Sequence, residues 1–279
     1  MVPTWLKNII ISGALLQSAF ALDLPKYRGL KTAQHGSVLE VTLHNPDSAI
    51  NLWGVDFQDG MTDLVGRLHN DNETKVVIFK SDVPKFFCAH LDLLMPGVAT
   101  VGPKFARLMY DISDLPQVTI GAVEGRARGG GNEFLLALDM RFASEPESFF
   151  GQIEVGTGLI PGGGGSQHLP RLIGRGLAWS ISSAETISTP RMQRDSYIDG
   201  LTSRLRLFPL PAMAAIKKAV NARSRPTLQD LLTDAASFTA RLSDPAVPAL
   251  IGRALEVTNN LTLGDAELNL GRDLPLVYQ

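Results

Sequence analysis

Two glutamates and two runs of glycine are the residues of this chain best suited to chemistry. Glu133 ends the segment Gly125-Arg126-Ala127-Arg128-Gly129-Gly130-Gly131-Asn132-Glu133, and Glu154 lies in Phe150-Gly151-Gln152-Ile153-Glu154-Val155-Gly156. A carboxylate among apolar and glycine residues is costly to bury unless it is protonated or paired. Two such groups could share a water and serve as acid and base. Taken singly, each fits a capping or surface role better. The run Gly129–Gly131 stands between a strand and a helix start, where backbone N–H groups have no intrahelical partner. Glycine lets a ligand approach those groups closely, so the turn suits an anion or a developing oxyanion. Tight strand-to-helix packing would explain the same glycines equally well. The second run, Gly162–Gly165, reads as a tight turn that shapes the wall after Glu154. A third segment, Phe86-Phe87-Cys88-Ala89-His90-Leu91-Asp92-Leu93, reads by itself as a loop anchored by its phenylalanines.

These segments need elements to hold them. Ser37 to Leu43 alternates like a half-buried strand, and Gly54 to Asn70 carries apolar residues at helical spacing. Val76–Phe79 and Val118–Val123 are short apolar runs that read as buried strands, and Phe105–Ile112 reads as a helix between them. Asn132–Leu138 is helical in pattern and leads into a strand at Asp139–Ala143. Strands therefore alternate with helices in the manner of an α/β fold. After about residue 174 strand signals stop, and Ala212–Ala222, Leu228–Leu242 and Pro248–Val257 predict three helices. The expected division is a core over 22–190 and a C-terminal helical region over 191–279.

Composition narrows the function. The 279 residues are 44 % hydrophobic and 19 % charged, an ordinary globular balance. With 26 Lys+Arg against 28 Asp+Glu, the net charge of −2 provides no electrostatic reason to expect nucleic acid. A single cysteine, Cys88, excludes an internal disulfide framework and any zinc site built mainly from thiolates, and reads as a packing residue. His35, His44, His69, His90 and His168 lack metal-ligand spacing, so no metal is expected. No phosphate-binding loop or dinucleotide fingerprint is present, and Ser166 lacks the pattern of a nucleophile elbow. Residues 1–21 combine Lys7, a short apolar run and Ala19-Phe20-Ala21, a candidate secretory signal cut before Leu22. An amphipathic helix or a mitochondrial presequence would also fit them. No other stretch approaches a membrane span.

Taken together, the three segments resemble the crotonase family, also called the enoyl-CoA hydratase/isomerase family. Phe87–Leu93 is similar to its Phe-x-Ala-Gly-x-Asp-Leu loop, and Gly125–Glu133 to its Gly-x-x-x-Gly-Gly-Gly-x-Glu segment. Phe150–Gln167 resembles its Phe-Gly-x-x-Glu-x-x-x-Gly-x-x-Pro-Gly-x-Gly-Gly-x-Gln block, which Arg171–Ala178 continues. Phe208-Pro209 and Ala215–Asn221 look like its terminal helix, so the resemblance covers roughly Gly36 to Arg223.

The resemblance implies a spiral of repeated ββα units with a C-terminal α-helical layer. It implies an oxyanion hole from the Leu91 and Gly130 N–H groups, and Glu133 and Glu154 as the catalytic acids. Ala89, His90, Asp92, Gly129, Gly131, Pro161 and Gly162 are the implied substrate contacts. The implied partner is an acyl-CoA thioester, with coenzyme A part of the substrate and no separate cofactor. Two glutamates favour hydration of a trans-2-enoyl-CoA to a 3-hydroxyacyl-CoA. Isomerisation, thioester hydrolysis, another lyase reaction or non-catalytic acyl-CoA binding are the alternatives. A homotrimer or dimer of trimers is implied, in the cytoplasm or mitochondrion if residues 1–21 are not a signal. The chain departs from the family in three places. His90 replaces glycine, Leu94-Met95 replaces a basic position, and Trp179–Ile198 is short and polar where a wall of the acyl pocket is expected.

Overall fold

The computed structural model describes residues 22–144, 148–183 and 194–279. Residues 1–21, with the candidate signal, lie outside the described residues, as does much of the departure after Trp179.

Strands β1 (Leu30–His35), β2 (Val38–Leu43), β3 (Val76–Ser81), β5 (Val118–Val123) and β7 (Met140–Ala143) form one sheet in the order β1-β2-β3-β5-β7. Only the β1–β2 pair is antiparallel. Three shorter strands, β4 (Phe86–Cys88), β6 (Arg126–Arg128) and β8 (Phe149–Gly151), make a second, parallel sheet. Each turn of the chain thus lays one strand in the large sheet and the next in the small one. A helix follows the first two of these turns: α2 (Val98–Asp114) after β4 and α3 (Gly130–Ala137) after β6. This is the spiral of ββα units.

Sequence dictates the arrangement locally. In β3, Val76, Val77, Ile78 and Phe79 are all buried, as a central parallel strand covered on both faces requires. Helix α1 (Val55–Leu68) buries Phe57, Met61, Leu64, Val65 and Leu68 along one stripe. Asn51, at φ +55°, turns the chain so that its Nδ2 donates to Ser81 Oγ at 2.9 Å and Phe87 O at 2.8 Å. That ties the two sheets together in a conformation asparagine tolerates better than most residues. The helix predicted over Phe105–Ile112 runs longer, beginning at Val98 and carrying Pro103 within it. Strand β1 escaped the sequence reading: it is an edge strand whose burial merely alternates, so its polar residues masked it.

The remaining helices cover the spiral. They are α4 (Gly165–Ser183, kinked at Gly174), α5 (Arg194–Leu205), α6 (Leu210–Ser224), α7 (Leu228–Leu242) and α8 (Val247–Val257). Short helices α9 (Asp265–Leu268) and α10 (Leu270–Asp273) precede a final 3-10 turn at Leu274–Tyr278. Ile198 on α5 packs on Val38, Val76, Ile78 and Ile120 of the large sheet. Lys217 on α6 is held by Asp139 at 2.8 Å and donates to Gln117 O at 2.9 Å. A reciprocal capping box between Thr227 and Asp230 starts α7, which lies along α2. No helix among the described residues is long and apolar enough to cross a membrane.

Candidate active site

The three segments singled out in the sequence meet at one cavity. Trp53 is bridged to the loop after β4 by two hydrogen bonds, Trp53 N to His90 O at 2.9 Å and Asp92 N to Trp53 O at 3.0 Å. These bonds hold Leu91 between them with its own N–H directed elsewhere. Behind the loop, Trp53 makes edge contacts with Phe57 and Phe105 and a tilted one with Phe134. Such a block of aromatic rings gives the loop a stiff floor.

Gly129 adopts φ +48°, ψ −126°, a conformation open only to glycine, and donates to Gly151 O at 2.9 Å. It turns β6 into α3, so the Gly130 N–H falls at the helix start. A side chain on Gly130 would begin 3.3 Å from Leu91 N. Among the described residues, neither the Leu91 nor the Gly130 N–H donates a hydrogen bond. Gly131 serves a different end: a Cβ there would sit 2.1 Å from Cys88 O, so its glycine permits α3 to pack on β4. Both readings of the glycine run therefore apply, each to a different glycine.

Glu133 lies one turn into α3, buried, with Oε1 accepting from Gly163 N at 2.7 Å and Gly165 N at 2.8 Å. The second glycine run is thus a turn that wraps the Glu133 carboxylate. Burial pushes Glu133 up to about 7, and the two N–H bonds counter part of that rise. Glu154 opens the 3-10 turn Glu154–Thr157 and is also buried, but its Oε2 has no partner among the described residues. Burial first, and then the neighbouring Glu133 charge, raise Glu154 well above the ordinary carboxylate range. Two carboxyl groups in different states of support thus face one space.

That space is lined by His90, Leu91, Gly129, Gly130, Glu133, Glu154 and Gly162. Ala89 and Pro161 are buried but do not line it, Gly131 lies at the β4 contact, and Asp92 instead accepts from Leu94 N at 2.9 Å. Leu94, on the mouth, is 63 % exposed and brings no charge. Cys88 is fully buried, and burial raises its thiol far from reactivity.

The sequence reading missed the distal wall. Ile251, Leu255, Leu261, Leu270 and Leu274, from α8 and the segments after it, close the cavity. Most of the segment after Trp179 lies outside the described residues; among those described, this wall comes from residues 251–274. Buried Arg128 and Glu267 form the ion pair that anchors it, with Arg128 Nη1 also donating to Glu267 O at 3.0 Å and Arg126 Nε to Leu268 O at 2.7 Å. A signal was present: an arginine between buried strand residues and Gly129 demands a carboxylate somewhere in the fold. Among the described residues, no group of three or more His, Cys, Asp or Glu is arranged to hold a metal.

Two interleaved sheets wound as ββα turns, under a helical cover, place the chain in the crotonase-fold class. The Enoyl-CoA hydratase/isomerase family model matches residues 33–189, and the chain belongs to that family. It is 33 % identical over 196 residues to the short-chain-enoyl-CoA hydratase of Clostridium acetobutylicum, covering 68 % of this chain and 74 % of that one. It is 39 % identical over 147 residues to the human mitochondrial enoyl-CoA hydratase domain-containing protein 2, covering 50 % of each. The match to human mitochondrial methylglutaconyl-CoA hydratase is 40 % over 124 residues, 42 % of this chain and 36 % of that one. The chain therefore spans half or less of these two human relatives. A crystal structure of a candidate enoyl-CoA hydratase from Streptomyces avermitilis superposes with TM-score 0.83 at 33 % identity, covering 90 % of this chain and 98 % of that one.

Proposed function

We propose that the chain hydrates a trans-2-enoyl-CoA to a 3-hydroxyacyl-CoA. The observation that carries this reading is the pair Glu133 and Glu154 on one cavity, in unlike environments. Family membership supports an acyl-CoA substrate, and the pair supports hydration within the family.

In this reading the thioester oxygen accepts from the Leu91 and Gly130 N–H groups. Glu133, whose carboxylate form is stabilised by two N–H donors, takes a proton from water as its oxygen bonds to Cβ. The C=C electron pair shifts to Cα and the carbonyl, and the resulting enolate oxygen is held by the two N–H groups. Glu154, with no donor on Oε2 and burial favouring its neutral form, delivers its proton to Cα. Donors of this kind contribute about 3–4 kcal/mol each in other oxyanion holes.

The test is the absorbance of the conjugated thioester. Adding purified protein to short and medium trans-2-enoyl-CoA is expected to bleach it and to yield the 3-hydroxyacyl product; a folded protein that leaves it unchanged overturns the reading. Assembly as a homotrimer or dimer of trimers belongs to the same proposal. The apolar groove where Leu172, Phe208, Ile216 and Val220 stand exposed supports it. A CoA thioester substrate points to the cytoplasm or mitochondrion as the place of action.

A further inference from the structure

His90 and Glu267 give the cavity a polar patch that the hydration chemistry leaves unused. The His90 Nδ1 lies 2.9 Å from Leu91 O. A carbonyl oxygen only accepts, so Nδ1 carries the proton and donates it. Burial keeps the ring neutral against the opposing pull of Glu267, which leaves Nε2 as a bare acceptor. No described residue donates to it. Glu267 is fully buried and lines the same cavity; Arg128 occupies its Oε1, while Oε2 meets no donor among the described residues. The two hydroxyls on the lining spend their protons on backbone carbonyls, Thr258 on Ala254 O at 2.9 Å and Thr157 on Glu154 O at 3.0 Å. Around the patch the wall is aliphatic, from Leu261 and Leu270.

This patch offers two acceptors, while the undonated N–H groups of the cavity, on Leu91 and Gly130, belong to the oxyanion turn, and that makes the patch selective. A buried acceptor without a partner is costly, and a ligand group with its own proton removes that cost. Arg128 already pairs the Glu267 charge, so a carboxylate in the same place would add a second negative charge beside Oε2 with no cation of its own. We infer that His90 Nε2 and Glu267 Oε2 form a subsite for a hydroxyl group carried on the acyl chain, one that excludes a carboxylate. This rests on the acyl-CoA reading above and narrows its substrate class to hydroxylated acyl chains.

Binding of unreactive, saturated thioesters tests it separately from turnover. Calorimetry would compare butanoyl-, pentanoyl- and hexanoyl-CoA with their terminally hydroxylated forms and their dicarboxylic counterparts. At one chain length the hydroxylated form is expected to bind about tenfold tighter than its parent, and the dicarboxylic form about tenfold weaker. In His90→Leu the preference for the hydroxyl is expected to fall to within about twofold, whatever the absolute affinities. Equal affinities for parent and hydroxylated forms at every length, or a preference retained in His90→Leu, overturns the subsite. Preference without hydration of any enoyl-CoA keeps the subsite and removes the hydratase reading. Binding of none of the thioesters removes both.

Discussion

Glu154 stands directly over Gly129, its Oε1 3.0 Å from the point where a side chain on that glycine would begin. The same glycine holds φ +48°, and a side chain there would also begin 3.4 Å from the Cβ of His90, so it joins the helix turn, the carboxyl group and the cavity wall in one place. Gly129→Ala is expected to cost about 1–3 kcal/mol of stability, since the conformation excludes a side chain. Beyond that, displacement of Glu154 should lower kcat/KM for enoyl-CoA by roughly 100-fold. Denaturant unfolding and steady-state hydration together measure the two effects.

Glu133→Gln and Glu154→Gln should each reduce hydration by about 100- to 10,000-fold. In Glu133→Gln the amide oxygen can still accept from Gly163 and Gly165, so the fold survives and the loss reports chemistry. Exchange of the Cα proton of the 3-hydroxyacyl-CoA product with solvent deuterium then separates the roles. It is expected to fail most completely in Glu154→Gln.

The pH dependence follows from the two environments. Hydration needs Glu133 ionised, so kcat/KM is expected to rise through about pH 7 as that carboxyl, lifted by burial, loses its proton. It needs Glu154 protonated, so the rate falls again at higher pH once that group ionises. A pH–rate profile that stays flat from pH 5 to about pH 9 would be inconsistent with both roles.

Stability gives an independent reading of Glu154. Its folded pKa is raised, so above the ordinary carboxylate value the unfolded chain releases a proton that the folded chain retains. The contribution to stability is therefore fully present below that value and is lost as pH rises toward the folded pKa. Glu154→Gln carries no such loss. Its melting temperature should exceed that of the wild type at neutral pH, by about 2–4 °C for each kcal/mol recovered, with the gap closing near pH 4.

The Arg128–Glu267 pair should behave as a buried ion pair. Arg128→Met is expected to destabilise the chain by about 3–5 kcal/mol, because it leaves the Glu267 charge buried alone. Arg128→Met combined with Glu267→Leu should recover much of that loss in urea unfolding while weakening the closure of the acyl pocket.

Much of the cavity was legible in the sequence because its chemistry sits in short, contiguous segments. The run Gly129–Gly131 before Glu133 identifies a strand entering a helix with an approachable N–H, and the structure has that turn. The strands read from Val76–Phe79 and Val118–Val123 were legible because central parallel strands are apolar on both faces. Edge strand β1 was not, since half of its residues face solvent. Nor were β4, β6 and β8, which are three residues each and too short to carry a period.

The sequence by itself determined the family, the alternation of strands and helices, and the three segments that meet at the cavity. Tertiary structure alone decided which oxygens have partners. Glu133 is wrapped by a turn some thirty residues further on, Gly163 to Gly165, whereas Glu154 is left with one bare oxygen. It also decided that the cavity is closed by Leu255, Leu261, Leu270 and Leu274, and that Glu267 faces Arg128 beside His90. The physical reason is range. A helix start or a buried strand is set by neighbours along the chain, while the desolvation and pairing of a charge depend on every segment that packs around it.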